Sequence, residues 1–117
     1  MNRRRERERG GRRAETFAAW WLRLKGWKIL ARRLKTPLGE VDIVARRGRI
    51  VAFVEVKGRA TAAVADWSLD EYRLRRVAAA AGALAYRFAR DGDETRIDAM
   101  FIVPRRLPRH MTNVWHG

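Results

Sequence analysis

Apolar side chains recur at steps of three and four residues at Phe17, Trp20, Trp21 and Leu24, and Gly26 follows them. This spacing predicts an amphipathic helix over 14–25 with a glycine stop. Three short segments of strand character come next, at 27–33, 40–45 and 50–57. Thr36-Pro37-Leu38-Gly39 separates the first two, and Arg46-Arg47-Gly48 is a link of hairpin length between the second and third. An antiparallel meander is expected. Ser68 precedes Glu71 at capping-box spacing, and Leu74, Val77, Ala81, Leu84 and Phe88 carry a second helix that should end near Arg90. Asp91-Gly92-Asp93 turns the chain into a fourth strand over 96–103. The predicted fold class is α/β, a central mixed sheet flanked by helices in the order α-β-β-β-α-β. The crossover through the second helix should make the fourth strand parallel to a neighbour.

Length and charge refine this picture. A chain of 117 residues is large enough to bury one core and too short for two. It divides into a basic arm over 1–13, expected to be flexible because it holds almost nothing apolar, a domain over 14–103, and an irregular basic tail over 104–117. The net charge is +14, of which the arm carries +5, so the body is basic in its own right. That field favours a polyanionic partner. The sequence has no cysteine, which excludes disulfides, thiolate zinc sites and cysteine nucleophiles and fits a reducing compartment. Its longest apolar runs are far below a membrane span, and the start lacks the apolar stretch of a signal peptide. A cytoplasmic protein without membrane contact is expected.

Candidate chemistry lies on the second and third strands. Alternate strand residues share a face, so Glu40 and Asp42 project together, as do Glu55 and Lys57. The intervening Val41, Ile43, Val54 and Val56 point the other way, toward whatever the helices cover. A hairpin register that places Asp42 near Glu55 is destabilising unless a cation or a lysine sits between them. Hard divalent cations such as magnesium take one or two carboxylates completed by water and substrate phosphate. The same alternation also fits solvated faces of half-buried strands. The positive charge tilts the choice toward phosphodiester chemistry.

The run Gly39-Glu40-Val41-Asp42-Ile43-Val44-Ala45 followed by Phe53-Val54-Glu55-Val56-Lys57, between two helices of which the first carries a glutamate, resembles the YraN-like family. That family shares the PD-(D/E)xK nuclease fold, a restriction-endonuclease-like core, and is similar to archaeal Holliday-junction resolvases. The resemblance covers about residues 11–103. It implies that Asp42 and Glu55 bind Mg2+ or Mn2+ and that Lys57 orients or activates the attacking water. It makes Glu15 the helical glutamate of the catalytic set, against the alternative of a favourable charge at a helix N-terminus. Glu40 extends the site or hydrogen-bonds the preceding turn. Arg59 follows the E-x-K pair as a phosphate contact or a solvated loop arginine. The chain departs from the pattern at Ala14, where the family usually has glycine, in the loop after Arg59, which lacks a Phe-Gly pair, and at Arg73, which replaces a lysine. Arginine keeps the charge and the phosphate affinity but changes the geometry.

The implied function is a magnesium-dependent endonuclease acting on DNA, with branched or repair intermediates as substrates, in a monomer or homodimer. Two alternatives are a noncatalytic nucleic-acid-binding module and a ribosome-associated basic protein. Arg73 and Arg76 share a helix side with Arg87 and Arg90, next to the apolar stripe, a row that suits phosphate tracking or an ordinary solvated face. Arg73 and Arg76 are expected to bind nucleic acid, Arg87 and Arg90 to be solvated. Trp20, Trp21 and Trp27 read as core. Trp67 and Trp115 suit base stacking or packing equally. His110 and His116 have no metal-ligand partner at useful spacing and receive no role.

Overall fold

The computed structural model describes residues 3–58 and 71–116, with side chains from Arg12 onward. Helix α1 spans Arg3–Leu24, and strands β1 (Lys28–Thr36), β2 (Gly39–Arg47) and β3 (Ile50–Gly58) follow. Helix α2 spans Glu71–Phe88, then come β4 (Glu94–Ile102) and a short β5 (Arg109–Met111). The five strands form one mixed sheet in chain order. The meander is antiparallel as expected, and β4 joins β3 in parallel, with Ile50 level with Glu94 and Gly58 level with Ile102. No helix among the described residues is long and apolar enough to cross a membrane.

Local chemistry sets the turns. At the β1–β2 turn the Thr36 hydroxyl donates to the Gly39 carbonyl at 2.8 Å and accepts the Leu38 and Gly39 amides at 3.1 and 3.0 Å. Gly48 adopts φ +61° in the two-residue link to β3, a conformation that costs glycine nothing.

Both faces of the sheet are covered. On one, α2 packs Leu74, Val77, Ala81 and Leu84 against Val44, Val51, Phe53 and Ile97. On the other, α1 packs Ala18, Ala19 and Leu22 against Ile43, Ala52, Val54 and Met100. Asp42 and Glu55 therefore lie beneath α2, whereas Glu40 stays exposed.

Several expectations are corrected. The helix expected from residue 14 begins at Arg3, because arginine and glutamate are good helix formers and extend it through Gly10-Gly11, each glycine costing about 1 kcal/mol. Its buried stripe is Ala14, Ala18, Ala19 and Leu22, whereas Phe17, Trp20 and Leu24 are exposed. The reason is fit: a Cβ on Gly58 would lie only 3.1 Å from that of Ala14, so α1 runs too close to β3 for a large ring between them. Trp27 is buried as expected, while Trp20 is 53% exposed. The tail is not irregular throughout, since Arg109, His110 and Met111 pair antiparallel with β4 and Trp115 packs on the α2 side of the core. Arg59, Trp67 and the Ser68 cap lie outside the described residues.

Candidate active site

The β2–β3 ladder runs from Arg47↔Ile50 to Ile43↔Val54. Asp42 and Glu55 occupy the next step, just past the end of the ladder. There the Val56 amide donates to Asp42 Oδ2 at 2.8 Å, so the carboxylate satisfies a backbone donor at the point where the two strands stop pairing. A cavity of about 220 Å³ opens over this point, lined by Glu40, Asp42, Glu55, Arg73, Arg76 and Val77. The roof is the first part of α2. It comes this close because residue 39 is glycine: a Cβ there would run into the Arg76 carbonyl group.

Burial dominates the electrostatics. Glu55 is only 3% exposed. Desolvation first, then the charge of Asp42, push its pKa up to about 7, against the opposing pull of Arg73 and Lys57. Asp42 is pushed up to about 6, first by desolvation and further by Glu15 and Glu40, with the Val56 hydrogen bond working against the rise. Arg73 Nη2 stands 2.8 Å from Glu55 Oε1. No donor is aimed at that oxygen, which among the described residues is a buried acceptor without a hydrogen bond. Two like-charged carboxylates with one unsatisfied buried oxygen suit a hard cation that brings its remaining ligands as water and phosphate. No group of three or more acidic, histidine or cysteine side chains suited to metal is present among the described residues.

The other candidate residues divide. Arg73 and Arg76 meet the carboxylates in the cavity, together with Glu40. Lys57 is buried on β3, two residues beyond Glu55. Glu15 is also buried, near enough to Asp42 to raise its pKa, yet Arg33 Nε and Arg32 Nε both donate to its Oε1 at 2.9 and 3.3 Å. It lies well inside α1, so a helix N-terminus does not account for it. Adjacent strand residues ordinarily point to opposite faces. Arg33 adopts φ +52°, which lets both guanidinium groups reach one carboxylate.

Sequence reasoning missed Arg32 and Arg33; their adjacency on a predicted strand was the only signal. It also missed a polar cluster at the far edge of the sheet. Asp98, fully buried on β4, accepts Arg96 Nε at 2.9 Å, Arg96 Nη2 at 3.1 Å and the Asn113 amide at 2.9 Å, and lies 2.8 Å from His110 Nε2. Burial raises the Asp98 pKa, but His110, Arg96 and Asn113 outweigh it and hold it below the usual carboxylate value. The Arg96-x-Asp98 alternation was a readable signal; His110 was not, because it arrives only with β5.

A mixed sheet covered by one helix on each face, with acidic residues where two central strands stop pairing, defines a protein of the restriction-endonuclease-like fold. The chain belongs to the uncharacterised protein family UPF0102, the YraN-like family, whose family model matches residues 14–102. A UPF0102 protein of Sphingopyxis alaskensis is 65% identical over 108 residues, covering 92% of this chain and 93% of its own. Another, from Rhizorhabdus wittichii, is 59% identical over 117 residues, covering 100% of this chain and 99% of its own. Among solved structures, Archaeoglobus fulgidus Hjc, a Holliday junction resolvase from an archaeal hyperthermophile, superposes with a TM-score of 0.61 at 20% identity. The match covers 86% of this chain and 73% of that one, a likeness of fold.

Proposed function

We propose that this protein is a divalent-metal-dependent endonuclease that hydrolyses DNA phosphodiesters, with branched or repair intermediates as substrates. The observation that carries the reading is the buried Glu55 opposite Asp42, with an oxygen to which no hydrogen bond is directed. Burying a carboxylate is costly, and a second one beside it adds to the cost, so the arrangement gains nothing in a pure scaffold. Mg2+ or Mn2+, when bound, would supply positive charge to the scissile phosphate and make water a better nucleophile. Asp42 and Glu55 would hold it, with Asp42 oriented by the Val56 amide. Lys57, behind Glu55 on the same strand, would orient the attacking water. Arg73 and Arg76, on the cavity roof, would bind phosphate oxygens, and their planar groups suit that task. Arg59, by the family resemblance alone, would be a further phosphate contact. Glu15, held by Arg32 and Arg33, would shape the site's charge from beside Asp42.

A second reading, a noncatalytic nucleic-acid-binding module, draws on the Arg73–Glu55 ion pair, which already neutralises part of the acidic charge. One experiment separates the two. Linear, flapped, forked and four-way DNA are incubated with the purified protein and Mg2+ or Mn2+. Cleavage of any of them that Glu55→Gln and Lys57→Ala abolish, with binding retained, supports the enzyme. Metal-dependent cleavage surviving both substitutions, or binding without cleavage across the panel, refutes it.

A further inference from the structure

Arg73 reaches down from the first turn of α2 to a carboxylate that is almost wholly buried. Its own side chain is 57% exposed, against 4% for that of Glu55. The ion pair measures 2.8 Å, but no hydrogen bond is directed at Glu55 Oε1, so the attraction between these two groups is Coulombic. Arg73 thus partly neutralises the two facing carboxylates. A divalent cation held by both carboxylates would offset both charges and leave the Arg73 charge in surplus at the mouth of the cavity, beside Arg76. The contact of α2 with Gly39 fixes the helix backbone against β2, so the change is a swing of one long side chain and not a shift of the helix.

We propose that Arg73 is an exchangeable internal counter-ion. It occupies Glu55 when no divalent cation is held, and passes to a phosphate of the nucleic acid when the carboxylate is taken. Metal loading and the grip on phosphate are thereby coupled: Arg73 lowers metal affinity in the absence of nucleic acid, and it is freed for the substrate by the cation it opposes. Coupling of this kind is reciprocal, so a phosphate that draws Arg73 away tightens metal binding by the same factor.

The inference rests on the metal-dependent reading above, and the test distinguishes the two. Mn2+ alone is titrated calorimetrically into the full-length parent, Arg73→Ala and Arg76→Ala. Arg76 lines the same cavity and removes the same charge, so it controls for a general electrostatic effect. Arg73→Ala should bind Mn2+ about fivefold more tightly than the parent, the scale of one half-exposed ion pair, and Arg76→Ala should stay within about twofold. The Arg73 Nε–H resonance, assigned by its loss in Arg73→Ala, should shift when the parent is saturated with Mg2+. Equal tightening in both variants, no tightening in Arg73→Ala, or a resonance unmoved at saturation would overturn the exchange while leaving the metal site standing. No binding by any of the three proteins would overturn the metal-dependent reading and the exchange with it.

Discussion

The backbone of Gly39 runs against the carbonyl of Arg76 so closely that no β-carbon fits between them. The glycine of the G-E-x-D run thus serves distance: it sets how near the arginines of α2 come to the carboxylates of β2 and β3. Gly39→Ala should force α2 outward, lower stability by about 1–3 kcal/mol and loosen Arg73 from Glu55. Urea unfolding reads the first effect. An unchanged midpoint would mean that α2 yields without cost.

The metal-free protein should be more stable in mild acid than at neutral pH as far as its site is concerned. Folded Asp42 and Glu55 titrate at about 6 and about 7, above the ordinary values of 3.8 and 4.5. Between those limits the native state binds more protons than the unfolded chain, so stability falls as pH rises through that window. The loss should be on the order of a few kcal/mol, and Asp42→Asn or Glu55→Gln should flatten it. Thermal melts in chelator from pH 4 to pH 8 test the slope. At neutral pH, excess Mg2+ should raise the parent's melting temperature and leave Asp42→Asn nearly unmoved. Equal shifts in the two proteins would remove Asp42 from the site.

Asp98 should behave in the opposite sense. Its lowered pKa means that its contribution is present above the usual carboxylate value and lost as pH falls through the folded one. Asp98→Ala leaves the Arg96 charge largely buried without its partner and should cost about 3 kcal/mol. The loss should concentrate at the β5 edge, seen as faster amide exchange at Asn113 and Val114. If those amides stay protected, the cluster is not what holds the tail.

Nucleic-acid affinity should fall linearly in log–log form with salt, each lost phosphate contact lowering the slope by about 0.9. Deleting residues 1–11 should reduce that slope without unfolding the domain, because the described buried positions of α1 begin at Ala14. Fluorescence anisotropy over a salt series measures it. An unchanged slope would show that those residues make no phosphate contact.

The sequence made much of this legible, and the exceptions have physical causes. Period-two alternation and turn residues located β1 to β4, and the same alternation placed Asp42 and Glu55 across a hairpin. Helical periodicity located both helices but misjudged the buried side of α1. Trp20 outweighs Ala18 on any hydrophobic count, yet the face of α1 that meets the sheet is Ala14, Ala18, Ala19 and Leu22, with Ala14 close against Gly58. The pairing of Arg32 and Arg33 with Glu15 depends on the left-handed backbone at Arg33, which no alternation rule anticipates. His110 and Asp98 meet because a three-residue strand docks on β4, and three residues are too few to show a period.

The two connections of β3 differ in reach, and that difference orders the assembly of the protein. β2 and β3 close across a two-residue turn, whereas β4 can pair with β3 only after the chain has crossed through α2. Loop closure favours the short connection first. Asp42 and Glu55 therefore come together while still bathed in water, where their repulsion is slight. The cost of burying them arises only when α2 covers the hairpin. A protein built this way should open most readily at the cavity between α2 and the hairpin.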